Sequence, residues 1–218
     1  DTFDRFYTQN SETQGGYTLE ATLEKNNKGL VQFPASGNGF DRYGTNDAGG
    51  KSTSPKETVG AGDHYMRPEG AAALFGVISE LRGKGITISL GDMSSSSGSD
   101  PWQAGSKHHA GHGHKGKRSG LDVDFRYINT DGVSFQSATA TTSPSFSAVN
   151  NTIVYNAADR VGFTKNYQGT SGTLLGITKV AGHNDHGHLG LNSINWKYVQ
   201  SAPTNPSIFQ TPALTWPR

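Results

Sequence analysis

The strongest constraint on how this chain can fold comes from two short segments in which carboxylate or imidazole side chains occupy alternate positions. One segment carries Asp122 and Asp124 in Gly-Leu-Asp-Val-Asp-Phe, and the other carries His186 and His188 in His-Gly-His-Leu-Gly. In a β-strand, alternate side chains lie on the same face. Two such strands side by side would bring carboxylates and imidazoles together, an arrangement typical of a metal site.

The composition restricts both the chemistry of such a site and the partners of the chain. The 218 residues include no cysteine, so no disulfide can form and a zinc site must use nitrogen and oxygen ligands. The formal net charge of +1 gives no electrostatic reason to expect binding to nucleic acid or to an anionic membrane. No apolar run approaches the roughly 20 residues of a membrane span, so we expect no membrane insertion. The residues after Asp1 lack the pattern of a signal peptide, as expected of a mature, truncated or cytosolic chain.

Hydrophobic periodicity predicts two helices between short strands. The first helix is predicted from about Pro68 to Arg82, because proline suits the first helical position and two glycines follow the last apolar turn. The second is predicted to begin near Ser147, a good N-cap residue, and to end at Gly162. Strands are predicted over 17–23, 30–33, 86–90, 121–127, 174–180 and 186–191, and loops over 36–58, 93–119 and 164–173.

This order of elements predicts an α+β fold. We expect a small, mainly antiparallel sheet that carries the metal site, flanked by helices and joined by long glycine-rich loops. Residues 1–218 are predicted to form a single domain. Its parts would be a loop-rich N-terminal region (1–62), a core that bears the motifs (64–191) and a proline-rich tail (201–218) that follows the surface irregularly.

A hydrolytic zinc site needs three protein ligands and one open position for water, whose pKa the metal lowers from ~15.7 to about 7. Asp124 and His188 are the best candidate ligands, because each lies on a short strand beside a second polar residue on the same face. His186 is then expected near the water, and His183 could donate to the developing oxyanion. Asp122 could orient a ligating imidazole.

Other polar residues have competing interpretations. His108, His109 and His112 are interpreted as exposed residues of the long loop, although a histidine-rich tract can also scavenge metal ions. Arg67, just before the first helix, could bind an anionic group of a substrate or could be an ordinary surface arginine.

The combination of motifs resembles a known family. The likeness covers about residues 64–191 and depends on the run from Leu81 to Ser94, then Ser119-Gly-Leu-Asp-Val-Asp124, and finally His183-x-x-His186-x-His188. This pattern resembles the penicillin-insensitive murein endopeptidases, within the superfamily of lysostaphin-type, D-Ala-D-Ala and hedgehog-type zinc proteins.

The resemblance implies an enzyme with one zinc ion that cleaves peptide bonds in bacterial peptidoglycan, in stem peptides or cross-links. It implies that Asp124 and His188 bind the zinc and that His183 and His186 assist catalysis. Because peptidoglycan lies outside the cytoplasmic membrane, it also implies a periplasmic, secreted or injected protein.

One position departs from the family pattern. The remaining zinc ligand of the family is a histidine seven residues before the ligating aspartate, and this chain has Lys117 there. A lysine would have to lose its proton to ligate zinc, which costs about 4–5 kcal/mol at pH 7. Three interpretations stay open: His114 acts as the third ligand, which we favour; the site has been altered and is inactive; or an insertion shifts the register, so that His112 or His114 takes the position.

Two other functions compete with the peptidase. A catalytically impaired module of the same fold could bind cell wall without cutting it, and Lys117 favours that alternative. A metal-scavenging protein that uses the loop histidines would bind several ions per chain and would have no affinity for cell wall.

Overall fold

The structure is a computed structural model that describes residues 2–9, 16–43, 64–98, 112 and 118–202. Within these ranges the chain forms two α-helices, a short 3-10 helix (Ala140–Thr142) and twelve short strands. The helices are α1 (Pro68–Gly83) and α2 (Ala148–Val161). In chain order, the strands are β1 (Phe3–Gln9), β2 (Tyr17–Glu24), β3 (Val31–Gln32), β4 (Ser36–Gly37), β5 (Phe40–Arg42), β6 (Tyr65–Met66), β7 (Ile88–Leu90), β8 (Asp122–Arg126), β9 (Tyr167–Gln168), β10 (Thr178–Lys179), β11 (His186–Gly190) and β12 (Val199–Ala202).

The strands form three sheets, and the fold is α+β, as the sequence predicts. The largest sheet has the order β10-β9-β11-β8-β7-β5-β4, the second has the order β12-β1-β2, and β3 pairs with β6. In the largest sheet β10 is parallel to β9 and β7 is parallel to β5, and the other neighbours are antiparallel. The two strands that carry the alternating polar residues, β8 and β11, are adjacent at the middle of this sheet.

Both predicted helices are confirmed with boundaries close to those expected. Pro68 is the first residue of α1, and the apolar stripe of Leu74, Val77, Ile78 and Leu81 is buried. At the start of α2, the hydroxyl of Ser147 accepts a hydrogen bond from the backbone N–H of Asn150 at 3.1 Å. Ser147 thereby satisfies one of the N–H groups that the first turn leaves without a helical acceptor.

The N-terminal region contains more regular structure than the sequence predicted. In β1, Asp4, Phe6 and Thr8 point inward, and two of these are polar, so the strand gave a weak hydrophobic pattern. The predicted loop over 36–58 is wrong over its first seven residues, where β4 and β5 form a hairpin. Gly37 pairs with Phe40, so Asn38 and Gly39 form a two-residue turn in which Gly39 has a φ of 89°. Residues 44–58 of that loop lie outside the described residues.

The predicted strand over 174–180 is also mostly wrong, because only Thr178–Lys179 is extended in a sheet. Gly176 adopts a φ of 76°, in the left-handed region, and this turn interrupts the apolar run. Leu174 is buried, whereas Leu175 is 96 % exposed. Of the predicted tail, Ser201 and Ala202 belong to β12, and the rest lies outside the described residues.

One hydrophobic cluster extends from α1 to both larger sheets and to α2. Phe75 of α1 packs against Phe33 and Phe6, with ring centroids 4.6 Å and 5.6 Å apart. On β8, Val123 and Phe125 are fully buried in this cluster, so the alternate residues Asp122 and Asp124 must face the other way. Within the described ranges, no helix is both long enough and apolar enough to cross a membrane.

Candidate metal centre

The pairing register of β8 and β11 brings the central side chains of the site together. His188 is the direct cross-strand partner of Asp124, and Nδ1 of His188 lies 3.1 Å from Oδ1 of Asp124. Side chains opposite each other in an antiparallel pair have their Cβ atoms about 5 Å apart, so a short carboxylate and an imidazole meet directly. Both side chains are buried, with relative exposures of 3 %.

The glycine between the two histidines of β11 is required by packing. A Cβ atom on Gly187 would collide with the ring of Phe125 and the hydroxyl of Tyr155. Glycine at this position therefore lets β11 approach the core closely while His186 and His188 project from the opposite face.

A third side chain, the imidazole of His112, completes the centre. Nε2 of His112 lies 3.3 Å from Oδ1 of Asp124, and the ring of His112 meets the ring of His188 edge to face at 4.8 Å. His112 is 3 % exposed, so its interpretation as an exposed loop residue is wrong. The contact of His112 with the buried carboxylate of Asp124 accounts for this burial, and sequence periodicity does not report such a contact.

The structure thus brings His112 to the position at which the sequence analysis favoured His114. His114 and Lys117 lie outside the described residues, as do His108 and His109, and the assignments made for those four residues stay predictions. The arrangement of His112 agrees with the interpretation in which the register of the family motif is shifted.

His112, Asp124 and His188 form a group that could hold a metal ion. One ligand atom from each residue lies within 4.8 Å of those of the others. Ligand atoms bound at about 2.0–2.1 Å to a tetrahedral zinc ion are about 3.3 Å apart. The two distances to Oδ1 of Asp124, 3.3 Å from Nε2 of His112 and 3.1 Å from Nδ1 of His188, match this spacing.

A bidentate ion pair between Asp122 and Arg118 lies next to His188 and orients its ring. Asp122 is fully buried; its Oδ1 lies 3.1 Å from Nε2 of His188, and both of its oxygens accept hydrogen bonds from Arg118 at 2.8 and 3.0 Å. Arg118 also donates to the carbonyl of Leu191 at 2.8 Å. A carboxylate on the outer nitrogen of an imidazole fixes the ring and directs the other nitrogen inward, as found around metal-ligating histidines.

A second charge pair orients His186. Nδ1 of His186 lies 2.8 Å from Oδ1 of Asp185, and Oδ2 of Asp185 accepts a hydrogen bond from Arg126 at 2.8 Å. The guanidinium of Arg126 lies 4.2 Å from the centroid of the Tyr43 ring, a cation–π contact. Nε2 of His186 then faces Oδ2 of Asp124 at 3.5 Å.

His183 lies beside His186 at the more exposed side of the centre. Its ring is 4.8 Å from the ring of His186, and its Nδ1 lies 3.1 Å from the carbonyl oxygen of Ala181. Because a carbonyl only accepts hydrogen bonds, Nδ1 must carry the proton, and in the neutral ring Nε2 carries the lone pair. Tyr167 stacks on His188 at 5.0 Å, and its ring also lies edge to face with the ring of His183 at 5.9 Å.

Neighbouring charges and hydrogen bonds outweigh burial and shift the pKa values of Asp124, His186 and His188 so that the charged form of each is favoured. Burial would raise the pKa of Asp124, but the charges of His112 and His186 hold it well below its usual range. Burial would lower the pKa of His188, but hydrogen bonds to Asp122 and Asp124 raise it to about 9. Burial would also lower the pKa of His186, but the charge of Asp124 raises it overall. Without a metal ion, these shifts favour an ionised Asp124 and protonated rings of His186 and His188, and a divalent cation bound at Nδ1 of His188 would replace the proton there.

The pKa of His183 is shifted in the opposite direction to those of His186 and His188. Burial and the charge of His186 lower the pKa of His183, so that its ring is neutral at pH 7. A neutral His183 with its proton on Nδ1 presents an acceptor at Nε2, which does not suit the predicted donation to an oxyanion.

The remaining predicted residue, Arg67, immediately precedes α1. Its backbone N–H donates to the carbonyl of Gly120 at 3.0 Å, next to the start of β8, and its side chain is partly buried. The binding of an anionic group by Arg67 stays a prediction.

Sequence reasoning missed Arg118, Arg126 and Asp185. Arg126 continues the alternation of Asp122 and Asp124 along β8, and it is the cross-strand partner of His186. Extending the period-two pattern by one more step, from residue 124 to residue 126, would have identified it.

Comparisons with known proteins do not assign this chain to a family. The sequence matches no protein-family model, and a search of curated proteins gives no significant match. The family resemblance described above therefore depends on the motifs alone.

Proposed function

We propose that this chain is a zinc-dependent peptidase that cleaves peptide bonds in the stem peptides or cross-links of bacterial peptidoglycan. The observation that carries the proposal is the convergence of His112 and His188 on one oxygen of the buried Asp124 carboxylate. The peptide substrate is inferred from the resemblance of the motifs to murein endopeptidases. A periplasmic or secreted location follows from that substrate and is part of the proposal.

The chemistry of the donor set fits zinc. Zinc prefers imidazole nitrogen and carboxylate oxygen where thiolates are absent, and catalytic zinc sites use three protein ligands. The chain contains no cysteine, and His112, Asp124 and His188 supply two nitrogens and one oxygen at the expected spacing. When bound, zinc supplies Lewis acidity, which polarises a peptide carbonyl and acidifies water.

The residues around these ligands supply positioning and proton transfer. The ion pair between Asp122 and Arg118 holds the ring of His188 with Nδ1 inward. His183 presents the lone pair of Nε2, which suits the acceptance of a proton from water. His186, oriented by Asp185, presents Nε2 beside Asp124 and, when protonated, can donate to a developing oxyanion or leaving amine.

A digestion assay tests the proposal. Purified peptidoglycan is incubated with the zinc-loaded chain, with the chain after chelation, and with the chelated chain after zinc is restored, and released fragments are identified by mass. We expect release only in the presence of zinc, and the masses identify the bond that is cut. Equal release with and without chelator would remove the proposal.

Two isosteric variants make the assay specific to the site. Asp124→Asn should abolish release, because the amide lacks the charge that holds the metal. Asp131→Asn, at an exposed turn, is the matched control and should release fragments at the parent rate. Sedimentation of the parent with insoluble peptidoglycan, without release of fragments, would instead favour the binding-module alternative.

A further inference from the structure

The carboxylate of Asp124 faces different imidazoles with its two oxygens. Oδ1 faces His112 and His188, whereas Oδ2 lies 3.5 Å from Nε2 of His186. Asp124, His183 and His186 form a second group in which one ligand atom from each residue lies within 4.8 Å of those of the others. Asp124 therefore belongs to two groups of three potential ligands, with Oδ1 facing both histidines of the first group and Oδ2 facing His186 of the second.

The rings of His183 and His186 are held as metal-ligating histidines are held. Such a histidine typically donates its other ring N–H to a backbone carbonyl or a carboxylate. Nδ1 of His183 does so to the carbonyl of Ala181 at 3.1 Å, and Nδ1 of His186 does so to Asp185 at 2.8 Å. In both rings Nε2 is left for a ligand, and in His186 it faces Asp124.

We propose that His183, His186 and Oδ2 of Asp124 form a second divalent-cation site, and that a second zinc ion bound there inhibits the chain. Two imidazoles and a carboxylate suit zinc. Asp124 would bridge the two ions, as a shared ligand does in two-metal sites with ions about 3.5–4 Å apart. The existence of the second site does not depend on the proposed function, but the inhibition rests on it.

The second ion should bind more weakly than the first. His183 and His186 are partly exposed, whereas His112 and His188 are buried, so solvent competes more strongly at the second site. The second ion also has to share the single charge of Asp124 and is repelled by the first ion. We expect its dissociation constant to be larger by at least about tenfold.

Inhibition follows from which atoms the second ion uses. In the proposed function, His183 accepts a proton at Nε2 and His186 donates one from Nε2. An ion bound to both Nε2 atoms occupies both positions, so proton transfer to and from the substrate is blocked.

Equilibrium dialysis against increasing zinc, with metal content measured by mass spectrometry, tests the site without any substrate. The parent should reach two ions per chain, and His183→Ala should stop at one ion without loss of the tighter one. His109→Ala, which removes a histidine of the predicted loop over 93–119, is the matched control and should still bind two ions. A parent that saturates at one ion, or a second ion that is lost in His109→Ala but kept in His183→Ala, would overturn the proposal.

An independent measurement avoids reliance on a variant. X-ray absorption at the zinc edge should show a zinc–zinc vector of about 3.5–4 Å only at the two-ion loading. Two bound ions without that vector would place the second ion elsewhere and would overturn the proposal.

The inhibition is tested by peptidoglycan release at increasing zinc. Release should rise as the first ion binds and fall to less than a tenth as the second binds, with the midpoint of the fall at the second dissociation constant. Undiminished release at two ions per chain would overturn the inhibition. If no release occurs at any zinc concentration, the proposed function and the inhibition both fail, while the dialysis and absorption results still decide the second site.

Discussion

Replacement of His112 is the sharpest test of the third ligand. The structure places its Nε2 3.3 Å from Asp124 in a buried position, whereas the sequence analysis favoured His114. We expect His112→Ala to weaken zinc binding strongly and His114→Ala to leave it close to that of the parent.

The size of the effect can be worked from the ligand count. Zinc binds to four-ligand structural sites with ~10–16 kcal/mol, or about 2.5–4 kcal/mol for each protein ligand. Loss of His112, one of the three proposed protein ligands, should therefore cost about 3 kcal/mol of zinc-binding free energy. This corresponds to an affinity about 100-fold lower. Water that takes the vacated position would recover part of this, so about 30-fold is a reasonable lower bound.

Competition with a chromophoric zinc chelator measures the dissociation constants of the parent and both variants at one pH. Because His112 is buried, the thermal unfolding of each metal-free variant is recorded as well, and only variants that unfold cooperatively are compared. A folded His112→Ala variant that binds zinc within threefold of the parent would refute the assignment. A loss confined to His114→Ala would return the third ligand to the residue favoured by the sequence.

Three further predictions follow from the contacts around the site and the helices. Asp122→Asn should weaken zinc binding by about 10–100-fold in the same chelator competition, because the amide no longer fixes His188 as an ionised acceptor. Zinc affinity should rise about tenfold per pH unit between pH 6 and 8. The pKa of His188 is raised to about 9, so zinc must displace a proton from this ring over that range. A zinc affinity independent of pH between 6 and 8 would contradict the prediction. Ser147→Ala should lower the free energy of unfolding by about 1 kcal/mol and Tm by about 2–4 °C in calorimetry, because the N–H of Asn150 loses its acceptor.

The two motif strands were predictable because their pattern is local. Alternation alone puts Asp122 and Asp124 on one face of β8, and the buried Val123 and Phe125 on the other face fix which side that is. That β8 and β11 are neighbours is a tertiary fact, which the sequence suggested only through the idea of a shared metal ion.

The third proposed ligand, His112, and the charged residues around the site could not be predicted from a local pattern in the same way. His112 lies in a stretch of sequence without hydrophobic periodicity, and in the structure it contacts a buried carboxylate. Arg118 contacts Asp122 across four residues at a turn before β8, a spacing that has meaning only once the turn is known.

The errors in the fold have physical causes of the same kind. The hairpin of β4 and β5 was missed although Asn38-Gly39 is a favoured turn pair, because few apolar residues flank it. Burial of Phe40, with its ring centroid 5.4 Å from that of Phe33, stabilises the hairpin and becomes apparent only in three dimensions.

The most direct test of the central claim is an anomalous difference map at the zinc edge, from crystals of the chain loaded with one equivalent of zinc. The account predicts one strong peak within about 2.2 Å of ligand atoms from His112, Asp124 and His188. A map without a peak at Asp124, or with a peak there that His112 does not contact, would contradict it.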